Sequence, residues 1–94
     1  MVVSVDALKA HLKIQYDDED DLLESLSQQA QAAAEDFCRV EFDESAAKPV
    51  VLAITLMGSH YYENRENSEK QAYQSMRAAF ESLLYPYRDP DQMF

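Results

Sequence analysis

Glycine occurs once in these 94 residues, at Gly58, and tryptophan not at all. A chain so poor in glycine has no glycine-rich turns with which to cradle a phosphate. The Val/Ile/Thr/aromatic alternation of strands is also missing, whereas Ala, Leu, Glu, Gln and Lys dominate, so the chain reads as all-helical. Its single cysteine, Cys38, has no partner for an internal disulfide; beside Phe37 on a helix it reads as a small buried hydrophobe. Basic residues are scarce as well: eight Lys and Arg stand against eighteen Asp and Glu, a formal charge of −10. Phosphate binding draws its affinity from clustered cations, which argues against a direct grip on nucleic acid and against an anionic membrane surface. No run approaches the ~18 apolar residues of a spanning helix, and Met1-Val2-Val3-Ser4 lacks the basic start and apolar block of a secretory signal. The reading is a cytosolic, soluble protein.

What is present is a succession of helix signals in one small domain, a size that hides only roughly 60 to 65% of the surface its unfolded chain exposes. Ser4 can cap a short first helix carrying Val5, Leu8 and Leu12, which ends near Lys13. The acids Asp17-Asp18-Glu19-Asp20-Asp21 suit the first turn of a long second helix, with one early aspartate as its cap. Leu22, Leu26, Ala30, Ala33 and Phe37 then step by helical spacings, widened by Leu23 and Ala34, and predict one buried face as far as Cys38 or Arg39. Residues 41 to 48 have no period and read as a connecting loop, with Phe42 as its anchor.

Pro49 suits the first position of a third helix, apolar on nearly every side from Val50 to Tyr62 and then abruptly charged in His60-Tyr61-Tyr62-Glu63-Asn64-Arg65-Glu66. A helix of that kind is central, and in so small a chain it hints at burial shared between subunits. Asn64 is expected as a left-handed stop, with His60 and Arg65 near the negative end of the dipole. After a polar link at 66 to 70, the residues Ala72, Tyr73, Met76, Ala79, Phe80, Leu83 and Leu84 mark one face of a fourth helix, which Pro86 ends. The expected fold is all-α: a small bundle of about four helices, one short and three longer, over residues 1–84, with a C-terminal arm at 85–94, extended or disordered.

Catalytic and metal chemistry find little purchase. The acids from Asp17 to Glu24 invite a calcium reading, but they are consecutive and lack the alternation, the central glycine and the closing glutamate of an EF-hand. His60 and Glu63 share a helical face, yet a carboxylate-bridged metal bundle needs a second such pair and further glutamates. His11 stands alone and Cys38 has no evident base. Neither an enzyme nor a cofactor is indicated. Tyr61, Tyr62, Tyr73, Phe80, Tyr85 and Tyr87 lack the interleaved basic residues of a nucleobase-stacking surface and read as core and interface packing.

Four segments together carry a resemblance: Leu8-Lys9-Ala10-His11-Leu12-Lys13-Ile14, Asp17 to Leu23, Ala53 to Met57 followed by His60 to Glu66, and Leu83-Leu84-Tyr85-Pro86-Tyr87-Arg88. In order and spacing the chain resembles the phage head-tail connector (adaptor) family, over nearly its whole length. It departs from the family's pattern at Lys13, at Gln15-Tyr16, at Tyr61 where tryptophan is usual, and at Gly58. The segment from Asn67 to Ala78 is fuller and more helical than the family's loop. The resemblance implies a structural role without catalysis: a homo-oligomeric ring of about a dozen subunits in the virion, assembled from the host cytoplasm. That ring would dock on the portal protein, meet a tail-side connector or terminator protein, and leave a channel through which genome DNA passes without specific binding or any membrane. For the subunit contact the reading singles out Tyr62, Glu63 and Arg65, with Asp18, Asp20 and Asp21 of a neighbour as partners of Arg65. Tyr85, Tyr87 and Arg88 form a partner-docking arm. The competing readings are that these charges only cap and solvate helix ends, or that the acidic surface makes the chain a small regulatory or inhibitor module mimicking nucleic acid.

Overall fold

The computed structural model describes residues 1–64 and 70–89. They form four helices, α1 (Val5–Leu12), α2 (Asp20–Cys38), α3 (Lys48–Glu63) and α4 (Lys70–Leu84), followed by one 3-10 turn, Tyr85–Tyr87, and there is no strand among the described residues. This is the small all-α bundle of one short and three longer helices that the periodicity predicts.

Local chemistry explains most of the helix ends. Ser4 caps α1 through Oγ, which accepts from the Ala7 N–H at 3.1 Å, and Asp6 lies in the first turn where the dipole favours an anion. Lys13 closes α1 in the left-handed region at φ 62°, while the Ile14 N–H reaches back to the Lys9 carbonyl at 2.9 Å. Arg39 closes α2 in the same way at φ 61°. Three ends differ from expectation. The residue before α2 is Glu19 rather than an aspartate, and its side chain makes no capping bond; its carboxylate accepts from the Tyr62 and Tyr16 hydroxyls instead, while Asp17 and Asp20 are turned to Lys9. Asn64 ends α3 with φ −118°, outside the left-handed region; its side-chain amide instead donates to the His60 carbonyl at 3.1 Å. Lys48 opens α3, so Pro49 takes the second helical position, where its missing N–H is equally harmless.

Helix α3 is the hub, packed against α1, α2 and α4. Its buried residues are Val50, Ala53, Ile54, Met57, Gly58 and Ser59, and Leu52 on the opposite side remains 46% exposed. On α2 the buried stripe runs Leu23, Leu26, Ser27, Ala30, Ala34 and Cys38, rotated by one residue from the predicted one: Leu22, Ala33 and Phe37 are only half-buried. The shift has a polar cause, since Ser27 is fully inside and donates its hydroxyl to the Val3 carbonyl at 2.5 Å. On α4, Phe80 and Leu84 are buried and Met76 and Leu83 half-buried, whereas Ala79 faces solvent.

The loop between α2 and α3 is anchored at Phe42, which packs on the core. Gln31 and Glu35 hold it: Gln31 Nε2 donates to the Phe42 carbonyl at 3.1 Å and the Phe42 N–H donates to Glu35 Oε2 at 2.9 Å. Gln31 Oε1 also accepts from the Val2 N–H at 2.8 Å, so one side chain of α2 ties both flanking segments.

The C-terminal segment stays on the domain as far as Asp89. Its first residues continue α4 as the 3-10 turn, and the Asp89 N–H then donates to the Cys38 carbonyl at 2.9 Å, which pins the chain to the end of α2. Pro86 explains the geometry: it ends the α-helical ladder but fits a tighter turn near its start. Residues 90–94 lie outside the described residues.

Candidate functional site

The charged end of α3 and the acidic turn before α2 meet within a single subunit. Tyr62, in the last turn of α3, donates its hydroxyl to Glu19 Oε1 at 2.5 Å. Tyr16 donates to the same oxygen at 3.2 Å and lies 3.3 Å from the Tyr62 hydroxyl. Helix α3 places Tyr62 here, while the chain between α1 and α2 supplies Tyr16 and Glu19.

Beneath this cluster, Lys9 of α1 bridges two of the acids, with Nζ 2.5 Å from Asp17 Oδ1 and 2.9 Å from Asp20 Oδ1. The Lys9 side chain is largely covered, so its ammonium exchanges water for two carboxylates, and its pKa is pushed up to about 12 by the hydrogen bonds to Asp17 and then Asp20. The Asp17 carboxyl is correspondingly lowered by its hydrogen bond from Lys9. Five consecutive acids can thus sit together because α1 delivers a cation among them. Of the three acids singled out from the sequence, Asp20 is engaged by Lys9, and Asp18 and Asp21 are exposed. Glu63 is exposed on α3, and Arg65 lies outside the described residues.

His60 is occupied locally. Its ring lies 5.7 Å from that of Tyr73 and its Nδ1 is 3.2 Å from the Asn64 side-chain amide. Among the described residues no group of three or more His, Cys, Asp and Glu is placed to hold a metal ion.

The other end of α2 has the opposite character. Arg77 of α4 and Arg88 after the 3-10 turn both approach Phe37, with guanidinium carbons 5.9 and 4.8 Å from its ring centre. Arg77 also lies 4.9 Å from the Phe80 ring and pairs with Glu81 at 2.8 Å; Arg88 lies 5.9 Å from the Tyr85 ring. Such placement over an aromatic face is favourable for a cation. Phe37, Tyr85, Pro86 and Arg88 line an open groove of about 600 Å³. Of the arm residues, Tyr85 is 57% exposed, while Tyr87 and Arg88 are half-buried against their own subunit. Beside them Cys38 is buried, its thiol raised in pKa by burial and turned toward the Leu84 carbonyl at 3.6 Å.

Sequence reasoning passed over Lys9, Tyr16, Glu19, Phe37 and Arg77 as site residues. The Arg77–Glu81 pair stands at helical i,i+4 spacing and was readable. Tyr16 and Glu19 are three residues apart, but their contact with Tyr62, like those of Lys9 and Phe37, forms only when separate segments pack.

A family model of phage gp6-like head-tail connector proteins matches residues 2–89. The chain belongs to that family. The match covers both ends just described, from α1 with Lys9 to the Arg88 groove. Head-tail connectors are structural parts of the phage particle rather than enzymes. No characterised protein and no solved structure matches this connector-family chain. No helix among its described residues is long and apolar enough to cross a membrane.

Proposed function

We propose that the protein is a ring component of the neck of a tailed phage or prophage particle, about a dozen copies joining the portal to a tail-side protein around a channel for DNA. The observation that carries this is the connector-family match across residues 2–89. Two features support it. The apolar helix α3 is uncovered at Leu52, which suits contact with another chain. The charge of −10 suits a channel that phosphate slides past, because like charges repel and there is no cluster of cations to hold the duplex.

The sequence reading puts Tyr62, Glu63 and Arg65 in the ring contact, and Glu63 is exposed in the last turn of α3. An Arg65→Glu chain that forms rings undiminished in electron micrographs removes Arg65 from the contact. Docking is tested by co-purification with portal rings. Capture of a basic DNA-binding protein by a monomeric chain would instead favour an acidic mimic, though the engagement of Asp17 and Asp20 by Lys9 leaves fewer free carboxylates for that role. Tight binding of duplex DNA by assembled rings at low salt would sink the sliding channel.

A further inference from the structure

The two ends of α2 are complementary. At its N-terminal end the acidic turn presents Asp18 and Asp21 to solvent beside Tyr16, which is 49% exposed. At its C-terminal end, roughly 28 Å away along 19 helical residues, Phe37, Tyr85, Pro86 and Arg88 line the groove together with Glu81, whose carboxylate is paired with Arg77.

Arg88 differs from the other cations of the described surface. Lys13, Arg39 and Lys48 are exposed and solvated, and Lys9 and Arg77 are paired with acids. Arg88 is half-buried, its Nε is covered without a hydrogen-bond acceptor, and among the described residues no carboxylate pairs with it. A partly desolvated guanidinium stacked on rings, in a chain with ten more acids than bases, is a strong place for an incoming carboxylate.

We infer that the Arg88 groove of one subunit receives the acidic turn of a second copy, Asp18 and Asp21 meeting Arg88 while Tyr16 adds apolar area against Tyr85. The inference rests on the ring reading and gives it a contact. It uses two different surfaces at opposite ends of one helix, and a head-to-tail contact of that kind is heterologous, so it propagates from copy to copy and makes a ring where the rotation between copies closes. It also differs from the contact suggested by sequence: the acids still serve, but their partner is Arg88 rather than Arg65.

The test is charge reversal in the full chain, read by sedimentation up to millimolar concentration, with circular dichroism confirming that each variant is folded. Wild type is expected to associate, Arg88→Glu alone and Asp18→Lys with Asp21→Lys to remain monomeric, and the triple variant carrying all three changes to associate again. A one-to-one mixture of the two defective variants is also expected to associate, since each reversed surface then finds its reversed counterpart. Association of Arg88→Glu at the wild-type level overturns the contact and leaves the ring standing. A folded triple variant that stays monomeric while wild type associates overturns it too. Wild type that stays monomeric throughout overturns the contact, and the ring is then decided separately by portal co-purification.

Discussion

The Tyr62 hydroxyl donates to Glu19 at 2.5 Å and thereby ties the last turn of α3 to the residue just before α2, 43 positions earlier in the chain. The bond joins a phenol to a carboxylate at a half-buried position, the kind of charge-assisted contact that exceeds an ordinary neutral pair. Tyr62→Phe keeps the ring and removes the donor, and is expected to cost about 1 to 2 kcal/mol. Urea unfolding monitored by circular dichroism measures it; a midpoint equal to wild type would show that Tyr16 and water replace the bond in full.

Lys9 and Asp17 make the acidic turn sensitive to pH in a definite direction. Asp17 has a lowered pKa in the folded chain, so its contribution is present above the ordinary value of 3.8 and is lost as pH falls through its folded value. Lys9 is raised from 10.5 to about 12, so its contribution is complete below 10.5 and lost as pH rises through 12. A carbon-detected titration is expected to place the Asp17 midpoint below 3.8 in wild type and to return it to that value in Lys9→Met. An unchanged midpoint in the variant would assign the shift to another cause.

Gly58 is expected to accept alanine with a gain. A Cβ there would lie 3.7 Å from both terminal methyls of Leu8 and 3.9 Å from the Ala30 Cβ, all ordinary van der Waals contacts, and glycine inside a helix costs about 1 kcal/mol against alanine. Gly58→Ala should therefore raise stability by about 1 kcal/mol in a thermal melt. A loss would mean that α1 and α2 approach α3 more closely on the time average.

Ser27→Ala deletes the hydroxyl that satisfies the Val3 carbonyl inside the core and is expected to cost about 1 to 3 kcal/mol. Chemical unfolding of the variant gives the number, and amide exchange near Val3 should quicken with it.

Cys38 is fully buried and its thiol is raised in pKa by burial, so it is expected to react with an aromatic disulfide reagent only at the rate of unfolding. Fast labelling under native conditions would show that the Asp89–Cys38 and Leu84 contacts open locally.

The helices were legible because each carries its own signals: Ser4 before α1, the acids before α2, Pro49 at the start of α3 and the Phe80–Leu84 spacing of α4. Less legible were features in which a polar group does an apolar group's work. Ser27 occupies the buried face of α2 because Val3 accepts its proton, and counting hydrophobic positions centres that face one residue away. The left-handed ends likewise fall on Lys13 and Arg39, where side-chain type offers no hint, while the one glycine lies inside α3. The candidate contact was legible in half: the acids Asp18 and Asp21 stand out in the chain, but nothing local marks Arg88 as their counterpart.

By itself the sequence determined the all-α class, the four helices and, through the order of its motifs, membership of the connector family, because helix periodicity, caps and motif spacing are properties of neighbouring residues. Only the tertiary structure decided which face of α2 is inside, that Lys9 answers Asp17 and Asp20, and that Arg88 comes to rest on Phe37. These contacts join residues up to 51 positions apart, and their geometry exists only once α1 and α4 have packed onto the two central helices. Which charges are answered within the subunit, and which stay open to solvent, follows from that packing.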